Sequence, residues 1–242
     1  MASRNVEEYL KAIYSLNQSE GNASTKRLSE VLKVAPASVT QMLKKLSEKG
    51  YVDYSPYHGA ALTKKGLRTA KKIIRKHRLI ERFLYDILGI GKSSVHKPAC
   101  EMEHSLPDNV EIALCRRLKH PSECPDNGAA IPPCDMPFAS CEKCMKGLIG
   151  NFDNIEKRDV DLIPLNELKQ NQEGKISFIR GDYKVLRRLL DLGVMPGANV
   201  KILKSAPLGG PVEISVRGST LALGRDIASN VFVEISNSEE GK

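Results

Sequence analysis

The apolar positions of this chain change period twice, and each change marks a different kind of structure. Over residues 5–17, NVEEYLKAIYSLN, Val6, Tyr9, Leu10, Ile13, Tyr14 and Leu16 recur at helical spacing and predict an amphipathic opening helix. After the polar turn QSEGNAS, TKRLSEVLKV predicts a short helix and APASVTQMLKKLSEKG a second, joined by a tight connection and stopped at Gly50. The pattern then alternates in YVDYSPYHGAALT, with Tyr51, Asp53 and Ser55 on one side and a turn at Pro56–Gly59, which predicts a two-stranded wing. Helical spacing returns from Lys64 to Leu88. Its stripe of Ile73, Ile74, Leu79, Ile80, Phe83, Leu84, Ile87 and Leu88 is too wide for one neighbouring helix and invites a partner subunit. Residues 106–118 add another amphipathic helix.

Residues 148–164 are charged and polar and read as a linker. Beyond them come five short Gly-bounded strands, GKISFI, ANVKILKS, PVEISVR, STLALG and NVFVEIS, around one helix, DYKVLRRLLDLG, which predicts a small SH3-like β-barrel. The expected fold is α+β. A winged helix-turn-helix spans 1–65, a helical domain 66–147 with a Cys-rich loop at 115–144, a linker 148–164, and the barrel 165–237.

Charge gives the first unit a partner. The net charge is +8 over 242 residues, but residues 1–80 hold 16 Lys or Arg against 6 Asp or Glu, and the rest 21 against 23. A field concentrated in the winged helix suits double-stranded DNA, whose phosphates supply most non-specific affinity. The start of the second helix of the motif would enter the major groove. Pro36, Ser38, Thr40 and Gln41 are then the candidates near bases, where Gln pairs bidentately with adenine, and Lys44, Lys45, Lys64 and Lys65 would meet phosphates. No run of about 18 apolar residues occurs and the N-terminus lacks a signal-peptide pattern, so the expectation is a cytoplasmic protein without a membrane partner.

The chemistry concentrates between residues 77 and 104. His77 and Glu81 stand four apart, and Cys100, Glu103 and His104 lie at offsets of three and four, with His96 just upstream. Each set shares a helix face. A mixed thiol, carboxylate and imidazole set suits a divalent transition metal better than calcium or magnesium. Further along Cys115, Cys124, Cys134, Cys141 and Cys144 crowd together, and Cys124, Cys134, Cys141 and Cys144 supply four thiols in a Pro-rich stretch, which predicts zinc or an iron–sulfur cluster. No motif supplies a general acid, base or nucleophile beyond these ligands, so no enzyme is expected.

The order of these parts resembles the diphtheria-toxin-repressor family of iron- and manganese-dependent transcription regulators. EEYLKAIYSL, SVTQMLKKLSEKGYV, KHRLIERFL and VHKPACEMEHSL look like that family's signature segments. The end of the chain, LLDLGVMPGANVKIL and GGPVEISVRGSTLALGRDIA, resembles the small domain of the ferrous-iron transport protein A type. The resemblance implies a homodimer, with Glu8, Cys100, Glu103 and His104 as an activating metal site and His77, Glu81 and His96 as an ancillary one. It also brings Asp182 near an acidic position that can lend a ligand. Cys100 favours iron(II), while Glu8 stands where the iron branch commonly has Met and the manganese branch Asp. The leading expectation is an iron(II)-dependent repressor of iron-homeostasis genes. An iron–sulfur or redox sensor using the Cys115–Cys144 cluster and a manganese-responsive regulator are the alternatives.

Overall fold

The computed structural model describes residues 3–56, 58–147, 160–181, 183–207 and 209–235. Asp182 and most of the expected linker, 148–159, lie outside these residues. The chain divides into two compact units, one of residues 1–114 and 123–132 and one of residues 115–122 and 133–242.

In the first unit, α1 (Arg4–Glu20) is the long amphipathic opening helix. It buries Val6, Tyr9, Leu10, Ile13 and Leu16 against Leu28 of α2 (Thr25–Leu32) and Val39, Leu43 and Leu46 of α3 (Pro36–Glu48). Ser24 caps α2 by accepting from the Arg27 N–H at 3.2 Å. Pro36 opens α3 at a position where its missing N–H costs nothing. The buried residues of α3 recur at helical spacing, so Pro36, Ser38, Gln41, Lys44 and Lys45 are all left exposed on the other side.

The wing is β1 (Val52–Ser55) paired antiparallel with β2 (Gly59–Leu62). It runs into α4 (Lys64–Asp86), where Thr63 accepts from the Gly66 N–H at 3.1 Å. A Cβ on Gly66 would stand 1.9 Å from the Tyr51 carbonyl oxygen, so only glycine lets α4 start this close to the wing. Helix α4 ends at Asp86, two residues before the expected Leu88, and the chain turns at Gly89 with φ of 68°. Ile73, Ile74, Leu79, Ile80 and Leu84 are buried, but Ile87 and Leu88 are exposed, as are Tyr85, Met102 and Val110.

Next come α5 (His96–Met102), a 3₁₀ turn at Glu103–Ser105, and α6 (Asp108–Arg117). Arg75 of α4 donates to Glu111 of α6 at 2.7 Å and to the Pro132 carbonyl at 2.6 Å, and both charged side chains are buried. This buried pair anchors the loop 123–132 on α4. Within that loop Cys124 and Gly128 close a turn, with the Gly128 N–H on the Cys124 carbonyl at 3.1 Å.

The second unit holds α7 (Cys141–Gly147) and a single antiparallel six-stranded sheet. Its strands are β3 (Ile163–Pro164), β4 (Glu173–Ile179), β5 (Asn199–Ser205), β6 (Val212–Val216), β7 (Ser219–Leu223) and β8 (Val231–Ile235), in the order β3-β8-β4-β5-β6-β7. The five expected strands are present and a short β3 joins them; the ladder is not closed between β3 and β7. The remaining helices are α8 (Tyr183–Asp191), which contributes Leu186 and Leu189 to the core beside Ile176, Ile202 and Ile214, and the short α9 (Arg225–Ala228).

Candidate metal centre

The sequence places the donors on three helices, and packing within the first unit brings them together. His77 and Glu81 sit on the buried side of α4, one turn apart and 5% and 1% exposed. His77 Nε2 lies 2.8 Å from Glu81 Oε1 and its Nδ1 lies 2.5 Å from Glu103 Oε2. His96, at the exposed start of α5, sets Nδ1 3.0 Å from Glu81 Oε1 and 3.2 Å from His77 Nε2. Helix α1 supplies the rest of the cluster. Glu8 Oε1 is 2.8 Å from His104 Nε2, and Glu7 Oε2 is 2.6 Å from His104 Nδ1.

Three groups bring their donor atoms within 4.8 Å of one another: Glu8 with Glu103 and His104; His77 with His96 and Cys100; and Glu81 with His96 and Asp126. Cys100 is drawn to the imidazoles, 3.6 Å from His96 Nε2 and 3.9 Å from His77 Nδ1. Glu103 and His104 form their own group with α1.

Four participants in this cluster, Glu7, Lys11, Cys124 and Asp126, escape a reading of sequence alone. Asp126 and Cys124 come from the loop 123–132, and the Cys124 thiol lies 2.5 Å from Glu81 Oε2. Lys11, one turn beyond Glu7 and Glu8 on α1, reaches into the middle of the cluster. Its Nζ donates to both Glu103 oxygens at 2.9 Å and lies 3.2 Å from His77 Nδ1 and 3.7 Å from Cys100 Sγ. Glu7 and Lys11 carry an i,i+4 relation to each other that is common on any helix; nothing in the pattern ties them to residues about a hundred positions away.

The cluster is strongly polarised. Burial would lower the His77 pKa, but hydrogen bonds with Cys100, Glu103 and Glu81 outweigh it, against the nearby Lys11, and hold the imidazolium up to about 10. Burial would raise Glu81, but bonds from His77, Cys124 and His96 hold it down to about 2. Glu103 is likewise held below the usual carboxylate range, its burial outweighed by His77 and Lys11. Burial and the Glu81 carboxylate push the Cys124 thiol up to about 11.

A divalent metal fits this donor set. Carboxylate, imidazole and thiol converge, and an ammonium group stands among them as an internal cation with Glu103 as its counter-ion.

On α3 the expected DNA-facing residues lie together on the exposed face, except Thr40, which is half-buried with Oγ1 on the Pro36 carbonyl at 3.1 Å. Lys65 is engaged elsewhere, with Nζ on the Lys49 carbonyl at 2.8 Å and over the Tyr51 ring at 4.4 Å.

A basic winged helix followed by a helical unit with clustered soft and hard donors defines a class, the metal-responsive DNA-binding regulators. Comparison with known proteins narrows it. Residues 1–60 match the iron dependent repressor N-terminal DNA binding domain, 63–132 the iron dependent repressor metal binding and dimerisation domain, and 163–235 the FeoA domain. The iron-dependent repressor IdeR of Mycobacterium tuberculosis is 30% identical over 237 residues, covering 94% of this chain and 96% of that protein. The uncharacterized HTH-type transcriptional regulator MJ0568 of Methanocaldococcus jannaschii is 40% identical over 109 residues, 45% of this chain and 87% of its own length. A solved manganese-dependent transcriptional repressor in complex with manganese has the same fold, with a TM-score of 0.50 at 24% identity over 96% of this chain and 100% of that one. The chain belongs to the iron-dependent repressor family of metal-dependent transcriptional regulators. Among the described residues no helix is long and apolar enough to cross a membrane.

Proposed function

We propose that this chain is a cytoplasmic, iron(II)-responsive repressor of iron-homeostasis genes, and that its metal sites lie in the cluster around His77 and His104. Glu8, Cys100, Glu103 and His104 are the proposed activating ligands. His77, Glu81 and His96 are the proposed ancillary ones, joined by Asp126 from the loop 123–132. The observation that carries this reading is that Glu8 of the winged-helix unit's opening helix shares a 4.8 Å donor group with Glu103 and His104, which lie about a hundred residues further along. A divalent ion there would supply the charge that three separated ligands need to stay together.

The residues of the chain do the rest. Glu8 and Glu7 hold His104 from both ring nitrogens and so orient it towards α1. Lys11 neutralises Glu103 when no ion is bound and must withdraw when one arrives, which keeps the two states distinct. His77 must give up a proton to become a ligand, so occupancy rises with pH. The thiol of Cys100 is the softest donor and supports iron(II) over manganese(II). The order gained in α1 passes to the DNA-reading α3 through the shared core of Leu10, Ile13, Leu43 and Leu46.

On α3, Ser38 and Gln41 are the proposed base-edge contacts and Lys44 and Lys45 the proposed phosphate contacts, with Pro36 and Thr40 shaping the helix start. The exposed apolar residues Tyr85, Ile87, Leu88, Met102 and Val110 are the proposed surface for the second subunit. The proposed domain limits are 1–65, 66–147 and 165–237.

The test is operator binding by fluorescence anisotropy under anaerobic conditions, using a palindromic site selected from random DNA. Iron(II) should tighten binding more than manganese(II), and a chelator should reverse both. Equal affinity with and without metal would defeat the reading; a stronger response to manganese(II) would replace its metal.

A further inference from the structure

A metal-responsive repressor leaves most of this chain's cysteines without a task. Cys124 lies in the first unit, its thiol on Glu81. Cys115, Cys134, Cys141 and Cys144 all belong to the second unit, and all are thiols. They come from three separate stretches, the end of α6, the irregular segment after it, and α7. Cys115, Cys141 and Cys144 are 5%, 4% and 3% exposed.

Specific backbone bonds put them there. Cys141 and Cys144 stand three apart on α7 and so share a face. The Cys144 N–H donates to the Ser140 carbonyl at 3.1 Å, and the Ile179 N–H of β4 donates to the Ala139 carbonyl at 3.0 Å, fastening the start of α7 to the sheet. Lys119 and His120 adopt left-handed backbone, with φ of 57° and 56°, and turn the chain back so that His120 Nδ1 lies 3.3 Å from Cys115 Sγ. Burial, and beyond it the charges that Cys134 and Cys115 would carry as thiolates, push the Cys141 thiol up to about 12, against the pull of Arg180.

A single buried cysteine packs as a small apolar side chain, and Cys141 does touch the cluster of Leu162, Phe178 and Phe232. Four thiols gathered in one unit, including a CxxC, need a further reason. Residues 118–122 and 133–140, the second unit's share of the stretch around them, form no helix and no strand longer than a bridge. A segment with so little regular structure gains its order from bonds that regular structure does not provide.

We propose that Cys115, Cys134, Cys141 and Cys144 form a thiolate-bound metal centre of the second unit, separate from the carboxylate and imidazole cluster, that takes a thiophilic metal as one zinc ion or as an iron–sulfur cluster. Each thiol releases its proton to solvent as its metal–sulfur bond forms. Among the described residues no three of these sulfurs lie within 4.8 Å of one another. An iron–sulfur cluster spans such a separation more readily than a single zinc ion with bonds of about 2.3 Å.

The full-length protein, purified anaerobically and treated with a mild chelator to empty the first unit's cluster, is assayed for zinc, iron and acid-labile sulfide. We expect about one zinc without sulfide, or about two or four irons with matching sulfide and visible absorption, to remain on each chain. Cys115→Ser, Cys134→Ser and the double variant Cys141→Ser/Cys144→Ser should each lose most of it, while Cys124→Ser keeps it. On the unaltered protein, stripping this metal under native conditions should expose about four further thiols to a thiol reagent, a readout that needs no variant to fold. No chelator-resistant metal in the unaltered protein, a thiol count unmoved by stripping, or metal retained in the cysteine variants would each overturn the proposal. Loss in Cys124→Ser with retention in Cys115→Ser would overturn the assigned set.

Discussion

Around His77 nearly every donor is charged and already paired, whereas the Cys141 thiol lies against Leu162, Phe178 and Phe232. The first cluster satisfies itself without an ion, because Lys11 and the protonated His77 supply positive charge to Glu103 and Glu81. In the second, burial opposes ionisation of the Cys141 thiol. A self-satisfied cluster can empty without leaving its buried carboxylates unpaired, which suits a sensor. A thiolate centre in apolar surroundings releases its metal reluctantly, which suits a permanent fixture. The contrast teaches that reversible and structural metal sites are separable by what neutralises the ligands when the ion is gone.

The sharpest way to break the comparison is to remove ligands of the first cluster alone. Glu103→Gln and His104→Ala should each abolish the metal response of operator binding while chelator-resistant metal in the second unit stays unchanged. A preserved response in anisotropy titrations would mean the wrong cluster is the sensor. Next in size is the buried pair that holds the loop of Cys124 and Asp126 in place. Arg75→Met removes the cation that faces the buried Glu111 and should destabilise the chain by about 3–5 kcal/mol, read from urea denaturation of the metal-free protein. A loss well under 1 kcal/mol would show that solvent reaches Glu111.

Gln41→Ala should cost about 1–3 kcal/mol of operator affinity and relax base preference at one position. Lys44→Ala should instead weaken all sequences alike and flatten the salt dependence. Lys11→Met should tighten iron(II) binding, since the internal cation no longer competes; weaker binding in a competition titration would mean that Lys11 helps to assemble the ligands. A separate effect, on stability, is one of pH. The folded-state pKa of His77, about 10, lies above its ordinary 6.5. Its ion pairs therefore stabilise the metal-free chain fully below about pH 6.5, and that contribution fades as pH rises towards about 10. Unfolding free energies of the unaltered protein and His77→Gln should converge across that window.

Much of this arrangement was legible in the sequence because it rests on local period. His77 and Glu81 share a face through i,i+4 spacing, and the HTH, the wing and the strands of the second unit announce themselves through apolar spacing and Gly stops. What was not legible depends on tertiary packing. Glu7, Lys11 and Asp126 enter the cluster only because α1 and the loop 123–132 pack on α4 and α5, and no short-range pattern encodes that. Cys100, grouped by spacing with Glu103 and His104, shares its donor group with His77 and His96, a contact that the spacing does not show. The sequence also grouped Cys124 with Cys134, Cys141 and Cys144; the fold sets Cys124 on Glu81 and leaves Cys115 as the fourth thiol of the second unit.

The central claim is that ligation of one ion ties α1 to the helices that carry Glu103 and His104. Hydrogen exchange read by mass spectrometry, on metal-free protein with and without iron(II), tests it most directly. We expect iron(II) to slow exchange in Arg4–Glu20 and in residues 96–105 together, and Glu8→Gln to abolish the protection of the first segment while leaving part of the second. Protection confined to residues 96–105, with α1 exchanging at the same rate in both states, would contradict the claim.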